Sequence, residues 1–178
     1  METERLIIDK LRPDDLEAYF LNIAHDRKVL ETFVCRYAET PADIDFDRLL
    51  NAPDLFAVRI KATGEFIGVV LICAGTYRRD EADGVLTCEI GYGFGSGHWR
   101  QGYATEAVKK YLEYCFEVKK CGRVCASFFA GNDASRRVME KCGMKYERFE
   151  EKSYEYLGGL RDLTYYNITK EEFENDRN

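Results

Sequence analysis

Residues 90–107 read Ile-Gly-Tyr-Gly-Phe-Gly-Ser-Gly-His-Trp-Arg-Gln-Gly-Tyr-Ala-Thr-Glu-Ala, and this run restricts the fold more than any other. A strand-like segment ending in Tyr92-Gly93-Phe94 passes through a loop of small residues into the most strongly periodic helix of the chain. Ala104, Ala107, Val108, Tyr111, Leu112 and Cys115 form one apolar stripe, while Lys109, Lys110, Glu113, Glu117 and Lys120 fall mostly outside it. Strand, glycine loop and helix N-terminus in that order suit an anion. The first helical turn has N–H groups without intrahelical partners, and the aligned peptide dipoles favour negative charge there. Glycine and alanine beside that turn let a phosphate approach the backbone. On these residues alone, a phosphate site and a plain glycine-rich connection fit equally well.

Two common phosphate patterns fail on the letters. A dinucleotide fingerprint needs G-x-G-x-x-G, and neither Gly91-x-Gly93-x-x-Ser96 nor Gly93-x-Gly95-x-x-His98 completes it. Gly97 and Gly102 have the spacing of a P-loop, but Tyr103-Ala104 follow where Lys-Ser/Thr is needed to reach a terminal phosphate and magnesium.

Around this stretch the pattern predicts a mixed α/β chain. Leu6-Ile7-Ile8 and Leu11 read as a strand, and Pro13-Asp14-Asp15 as a helix start with Leu16, Tyr19, Phe20 and Ile23 behind it. A second helical piece is expected through Val29, Leu30, Phe33 and Val34, and a third from Thr40-Pro41 with Ile44, Leu49 and Leu50 buried. Strands 55–60 and 66–72 make a hairpin across a glycine-containing connection, residues 77–84 a charged loop, and 85–92 the next strand. Residues 123–129 form a strand, and a helix over 133–142 has Asn132 or Asp133 as its cap and Gly143 beyond its end. Residues 144–156 and 160–168 pair around Gly158-Gly159, and the charged tail from Thr169 is expected to fray. The strand–helix–strand crossover around the glycine loop places its two strands parallel within a mostly antiparallel central sheet with flanking helices.

A chain of 178 residues suits a single domain, its core at about residues 6–168, without metal or disulfide support. The net charge of −6 argues against a nucleic-acid partner. The N-terminus is acidic and lacks a secretory pattern, and the longest apolar run, 66–75, is too short to span a bilayer. A cytosolic protein with no membrane partner is expected. Seven cysteines, with no C-x-x-C and only His25 and His98 to supplement them, give no metal-ligand pattern; buried free thiols are the expected state.

A second segment completes the pattern. Asn132-Asp133-Ala134-Ser135, followed by Cys142-Gly143-Met144, resembles the Asn-x-x-Ser/Ala segment of the GNAT family of acyl-CoA-dependent N-acetyltransferases, and Gly102-Tyr103-Ala104 resembles the end of that family's pyrophosphate motif. Trp99 departs from the glutamine or arginine that opens the motif, although Trp-x-x-Gly-Tyr-Ala-Thr-Glu-Ala is similar to the ribosomal-protein N-terminal acetyltransferase branch. The resemblance runs over about residues 6–168, with its specific letters between 89 and 146. It implies acetyl-CoA as co-substrate, no metal, and contacts to it from Tyr92, Gly93, Phe94, Trp99, Arg100, Gln101, Gly102, Tyr103, Ala104, Thr105, Asn132 and Ser135.

Acetyl transfer needs a neutral amine, a donor for the thioester oxygen, and an exit for the thiolate. Glu89, on the strand entering the glycine loop, is the candidate base, with a solvated or salt-bridged glutamate as the other reading. Many members of the family carry a tyrosine seven residues after the asparagine; Met139 stands there, and Ser135 is the candidate substitute acid, with cofactor packing as the alternative. The expected acceptor is a primary amine, either a protein N-terminus or a small metabolite or drug. A non-catalytic acyl-CoA sensor is the rival class, and a homodimer is compatible with either.

Overall fold

The computed structural model describes residues 1–176. Strand β1 (Leu6–Lys10) ends before a tight turn at Pro13–Asp15, helix α1 (Leu16–Tyr19) and a wider helical turn at Phe20–Ala24. Pro13 presets φ at the start, and the Asp15 carboxylate accepts the Arg12 N–H at 2.7 Å. Helix α2 (Arg27–Leu30) is capped by Asp26, and α3 (Phe46–Leu50) by Asp45. Strands β2 (Leu55–Ile60) and β3 (Phe66–Ile72) follow, then the short β4 (Arg78–Arg79) and β5 (Leu86–Phe94). Helix α4 (Tyr103–Glu113), prolonged by a turn at Tyr114–Val118, leads to β6 (Arg123–Phe129) and α5 (Asp133–Lys141). Strands β7 (Lys145–Tyr156) and β8 (Gly159–Thr169) and helix α6 (Lys170–Asn175) complete the described chain.

The strand order is β1-β2-β3-β5-β6-β8-β7, with β4 on β5. Only β5 and β6 run parallel among the registers described, Glu89 opposite Cys125 and Ile90 opposite Ala126. The mixed, mostly antiparallel sheet with one parallel crossover is the architecture that the pattern predicts.

By contacts the chain divides into two units, residues 1–71 with 92–110, and residues 72–91 with 111 onward. In the first, Leu11, Tyr19, Ile23, Val29, Ala57, Phe66 and Val69 pack into one cluster under α1 and α2. Its one buried charge system is Arg59, which donates to both oxygens of Asp15 at 2.7 and 2.5 Å and to Asp9 at 3.1 Å. In the second, Tyr111, Leu112, Cys115 and Phe116 are buried, as are Val124, Ala126 and Ile168 of the strands. No disulfide joins any of the seven cysteines; Cys88, Cys115, Cys121 and Cys142 are buried, while Cys35, Cys73 and Cys125 are half-buried.

Four local expectations change. The helix expected from Thr40-Pro41 is one tight turn at Pro41–Asp43, broken by extended Ile44 before α3, and Phe46 is buried while Ile44, Leu49 and Leu50 are half-buried. Helix α2 ends at Leu30, so Phe33 and Val34 lie beyond it, and Val34 is exposed. The charged loop 77–84 contains β4, which pairs with Thr87 and Leu86. The tail does not fray over its described part. Thr169 accepts the Glu172 N–H at 3.2 Å while Glu172 accepts from Thr169, a reciprocal cap, and Phe173 is buried at 5.1 Å from Phe116. Residues 177–178 lie outside the described part.

Candidate active site

The glycine stretch is the outgoing half of β5 and the entry to α4. Gly93 is buried, and a Cβ there would stand 2.7 Å from the Phe33 ring, so glycine is demanded by packing. The Gly95 N–H donates to Ile67 of β3 at 3.0 Å, and the Ser96 N–H donates to Asp26 at 2.9 Å. Trp99 reaches back along the loop: its indole N–H donates to the Phe94 carbonyl at 2.7 Å, bracing the turn with the ring partly exposed. That bond gives the tryptophan a structural use, and it engages one of the backbone groups expected to meet the pantetheine arm. Arg100 (φ +62°) and Gly102 (φ +83°) then turn the chain in the left-handed region. The first α4 bond, Glu106 N–H to Gly102 carbonyl at 3.1 Å, leaves the N–H groups of Gly102, Tyr103 and Ala104 ahead of the intrahelical ladder.

A carboxylate in the first turn would repel a phosphate, and Glu106 is there. Its charge is turned inward. Oε1 accepts Thr3 Oγ at 2.5 Å and the Arg5 N–H at 2.9 Å, and Oε2 accepts Arg5 Nε at 2.7 Å. These bonds outweigh the burial that pushes its pKa up, and hold the carboxyl below the usual range. Arg5 also donates to the Gln101 carbonyl at 3.0 Å and lies 4.7 Å over the Tyr103 ring. The exposed residues 99–102, with Arg100 among them, and the open space at Gly97 therefore fit a phosphate group, with the backbone braced from behind.

In the second unit, Glu89 sits half-buried in the incoming half of β5. Its N–H donates to Thr76 Oγ1 at 3.0 Å and its carbonyl accepts the Cys73 N–H at 2.8 Å. Ser127 Oγ donates to Glu89 Oε1 at 2.5 Å. The two are two residues apart in register on adjacent parallel strands, so the pleat puts them on one face. On that face also lie Cys125, opposite Glu89, and Tyr165, opposite Ser127. Burial, with the Glu89 charge added, pushes the Cys73 thiol up to about 12. Burial and nearby carboxylates raise the Cys125 thiol to about 11 and the Tyr165 phenol to about 12, so all three are protonated at neutral pH.

Asn132 and Ser135 come together as a cap. Asn132 Oδ1 accepts the Ser135 N–H at 3.1 Å, and its amide donates to Ser135 Oγ at 3.0 Å. Met139, at the position where a tyrosine is usual, is buried. Among these groups Glu89 is paired with Ser127, not Ser135. Ser127, Tyr165, Thr76 and Arg5 were not among the expected site residues; the alternation of β6 puts Ser127 on one face with Cys125, but only the parallel register with β5 brings that face to Glu89. Among the described residues no group of side chains could hold a metal, and no helix is long and apolar enough to cross a membrane.

Comparison with known proteins identifies the family. The model of the Acetyltransferase (GNAT) domain matches residues 5–145. The uncharacterized protein YkkB of Bacillus subtilis is 40% identical over 94 residues, about half of each chain: 53% of this one and 52% of YkkB. The putative ribosomal N-acetyltransferase YdaF of Bacillus subtilis is 28% identical over 98% of this chain and 96% of its own length. The crystal structure of a GNAT-family acetyltransferase from Bacillus anthracis is 27% identical with a TM-score of 0.80, covering 96% of this chain and 98% of that one. With the domain model matched over most of its length and the fold shared end to end, the chain belongs to the GNAT family and is an acetyl-CoA-dependent N-acetyltransferase.

Proposed function

We propose that the acceptor is a primary amine at a protein N-terminus and that Glu89 takes its proton. Acetyl-CoA brings the acetyl group as an activated thioester. The chain supplies a phosphate hold, from the backbone of Gly102, Tyr103, Ala104 and Thr105 with Arg100 and Gln101 beside it, and a base. Tyr92, Gly93 and Phe94 lie on the same strand as that base and continue into the hold. Trp99 serves by bracing the loop, and Asn132 with Ser135, a capped helix start, contributes contacts to the cofactor. With Met139 buried, no acid beyond Ser135 is assigned.

The observation that carries the reading is the Glu89 carboxylate. It is half-buried, held by one hydroxyl, and without a cationic partner in any ion pair described. A salt-bridged structural glutamate would have one. The N-terminal acceptor is supported by the name and full-length similarity of YdaF. A small-molecule amine is the second reading, favoured by the absence of any recognisable motif on α1 to α3.

A thiol-release assay over peptides with free N-termini and over small amines, run beside direct CoA binding, tests it. Release with an alanine-initiated peptide, and loss of an N-terminal acetyl group from a cellular protein when the gene is deleted, are expected. Release only with small amines transfers the acceptor to the second reading. Binding of CoA without release on any amine makes the protein a sensor.

A further inference from the structure

We propose that Ser127 is a positioning residue for the acetyl transfer: it occupies Oε1 of Glu89 and thereby assigns Oε2 as the oxygen that receives the acceptor's proton. The inference rests on the reading of Glu89 as base and adds to it the atom and the residue that selects it.

A carboxylate has two equivalent oxygens and rotates about its last bond, so an unrestrained glutamate presents either, in many directions. At Glu89 that freedom is removed. Ser127 Oγ donates to Oε1 at 2.5 Å, a charge-assisted bond at the short end of the range. Ser127 is itself held in the middle of β6, opposite Tyr165 of β8 and one residue past the β5 pairing of Ile90 with Ala126. The Glu89 backbone is fixed at both ends, through Thr76 and through Cys73. Oε2 accepts no hydrogen bond from any described residue. The carboxylate is therefore oriented, with one oxygen engaged and one available.

Uncharged groups adjoin that carboxylate. From the β3–β4 connection come Cys73 and Thr76, from β6 Cys125, and from β8 Tyr165, all uncharged at neutral pH. On β7, Arg148 is held by two carboxylates of its own strand. Arg148 donates to Glu147 at 2.6 Å and to Glu150 at 2.8 Å while lying 3.7 Å over the Tyr165 ring. Its guanidinium is thus bonded to two carboxylates other than Glu89. In the transfer, Oε2 accepts a proton from the acceptor ammonium, directly or through a water, and leaves a neutral amine. The neutral amine nitrogen attacks and bonds to the acetyl carbon, the adduct gives up its remaining excess N–H proton to solvent, and the carbon–sulfur bond breaks with its electron pair on the thiolate. Protonated Glu89 then returns its proton to solvent or thiolate, and Ser127 keeps its own throughout.

The test compares Ser127→Ala, Ser127→Thr and Ser127→Cys in wild-type and Glu89→Gln backgrounds, using acetyl-CoA and an alanine-initiated peptide, or the fastest amine of the panel. One hydrogen bond to a charged group corresponds to a change of about tenfold or somewhat more, so Ser127→Ala should lower kcat by about tenfold. The acetyl-CoA KM should stay within about twofold, since the phosphate hold is elsewhere in the chain. The acid limb of the rate profile should move to higher pH, because a donor to the charged carboxylate has been removed. Ser127→Thr should restore both, and Ser127→Cys should fall between. In the Glu89→Gln background Ser127→Ala should add no further loss. An unchanged kcat and pH profile in folded Ser127→Ala overturns the proposal while leaving Glu89 as base. An equal further loss in the Glu89→Gln background also overturns it, since Ser127 would act elsewhere. A Glu89→Gln enzyme with wild-type turnover removes the base, and this proposal with it.

Discussion

Replacing Gly102 separates two demands on one residue, backbone geometry and anion binding. Gly102 lies at φ +83°, where an L side chain costs about 1–2 kcal/mol. A Cβ there would stand 3.3 Å from Arg5 Nη2, the movable end of a long side chain, so the contact adds little. Gly102→Ala should therefore lower stability by about 1–2 kcal/mol and leave the protein folded, a loss within the about 5–15 kcal/mol typical of a domain. Gly102→Asp carries the same strain and adds a carboxylate beside the backbone that would hold the pyrophosphate. At about 4 Å, two unit charges repel by about 1 kcal/mol in water and about 4 kcal/mol at the edge of a protein. The position is exposed, so acetyl-CoA affinity should fall by between about fivefold and several hundredfold.

Calorimetric CoA binding at low and high salt, with thermal melts, measures both terms. Salt should recover part of the affinity of Gly102→Asp and none of that of Gly102→Ala, because only the charge term is screened. Gly64→Asp is the control. Gly64 has φ +74° and open space around it, so it suffers similar strain at a β-hairpin connection and should bind CoA as the wild type does. A folded Gly102→Asp variant with wild-type affinity and no response to salt would refute the assignment and leave the loop as a connector.

Two predictions concern stability. Arg59→Met leaves Asp15 buried without its cation, and should cost about 3–5 kcal/mol in urea unfolding, with much of it recovered when Asp15→Asn is added. For Asp26, burial pushes the carboxyl up, but bonds from Ser96, Lys28 and Val29 outweigh it and hold the group below its ordinary range. A depressed folded pKa contributes stability above the unfolded value, about 3.9, and loses it as pH falls through the folded one. Asp26→Asn should therefore flatten the acid side of the stability curve below about pH 4, measured by melts across pH, and loosen the loop at Ser96.

The sheet was legible because its signals are local. The expected bounds of β2, β3 and β6 match, and the stripe on α4 is buried at Ala107, Val108, Tyr111, Leu112 and Cys115. What was not legible depends on pairings distant in sequence. Nothing near Arg5 announces that it will neutralise Glu106, about a hundred residues on, and hold the Gln101 carbonyl. Ser127 became Glu89's partner only through the parallel register of β5 and β6, which periodicity alone does not set. Trp99 departs from the family's motif, yet the indole bond to Phe94 gives it a use that spacing could not show. Helix α6 is different, since Thr169-Lys170-Glu171-Glu172 spells a capping box that the net charge of the tail obscured.

The pH dependence of what activity remains without Glu89 also discriminates between acceptors. A protein N-terminal amine has a pKa of about 7.7–8.0, so about a tenth of it is neutral at pH 7; an alkylammonium at about 10.4 is neutral in only about 0.04%. A base that removes this proton assists by about 10²–10⁴-fold, and Glu89→Gln should lose turnover of that order with acetyl-CoA binding retained. What remains must draw on amine already neutral in solution. For an N-terminal amine the residual rate should climb with pH and level off by about pH 8.5, whereas for an alkylamine it should keep rising about tenfold per pH unit toward pH 10. The neighbouring groups do not confuse this window, because Cys125 titrates at about 11 and Cys73 and Tyr165 at about 12. Steady-state thiol release from pH 6 to 10 with saturating acetyl-CoA reads the curve. A levelling near pH 8.5 supports the N-terminal acceptor, and a continued rise supports the small amine. Less than a few-fold loss at neutral pH would take Glu89 out of the mechanism and leave positioning of the two substrates to account for the rate.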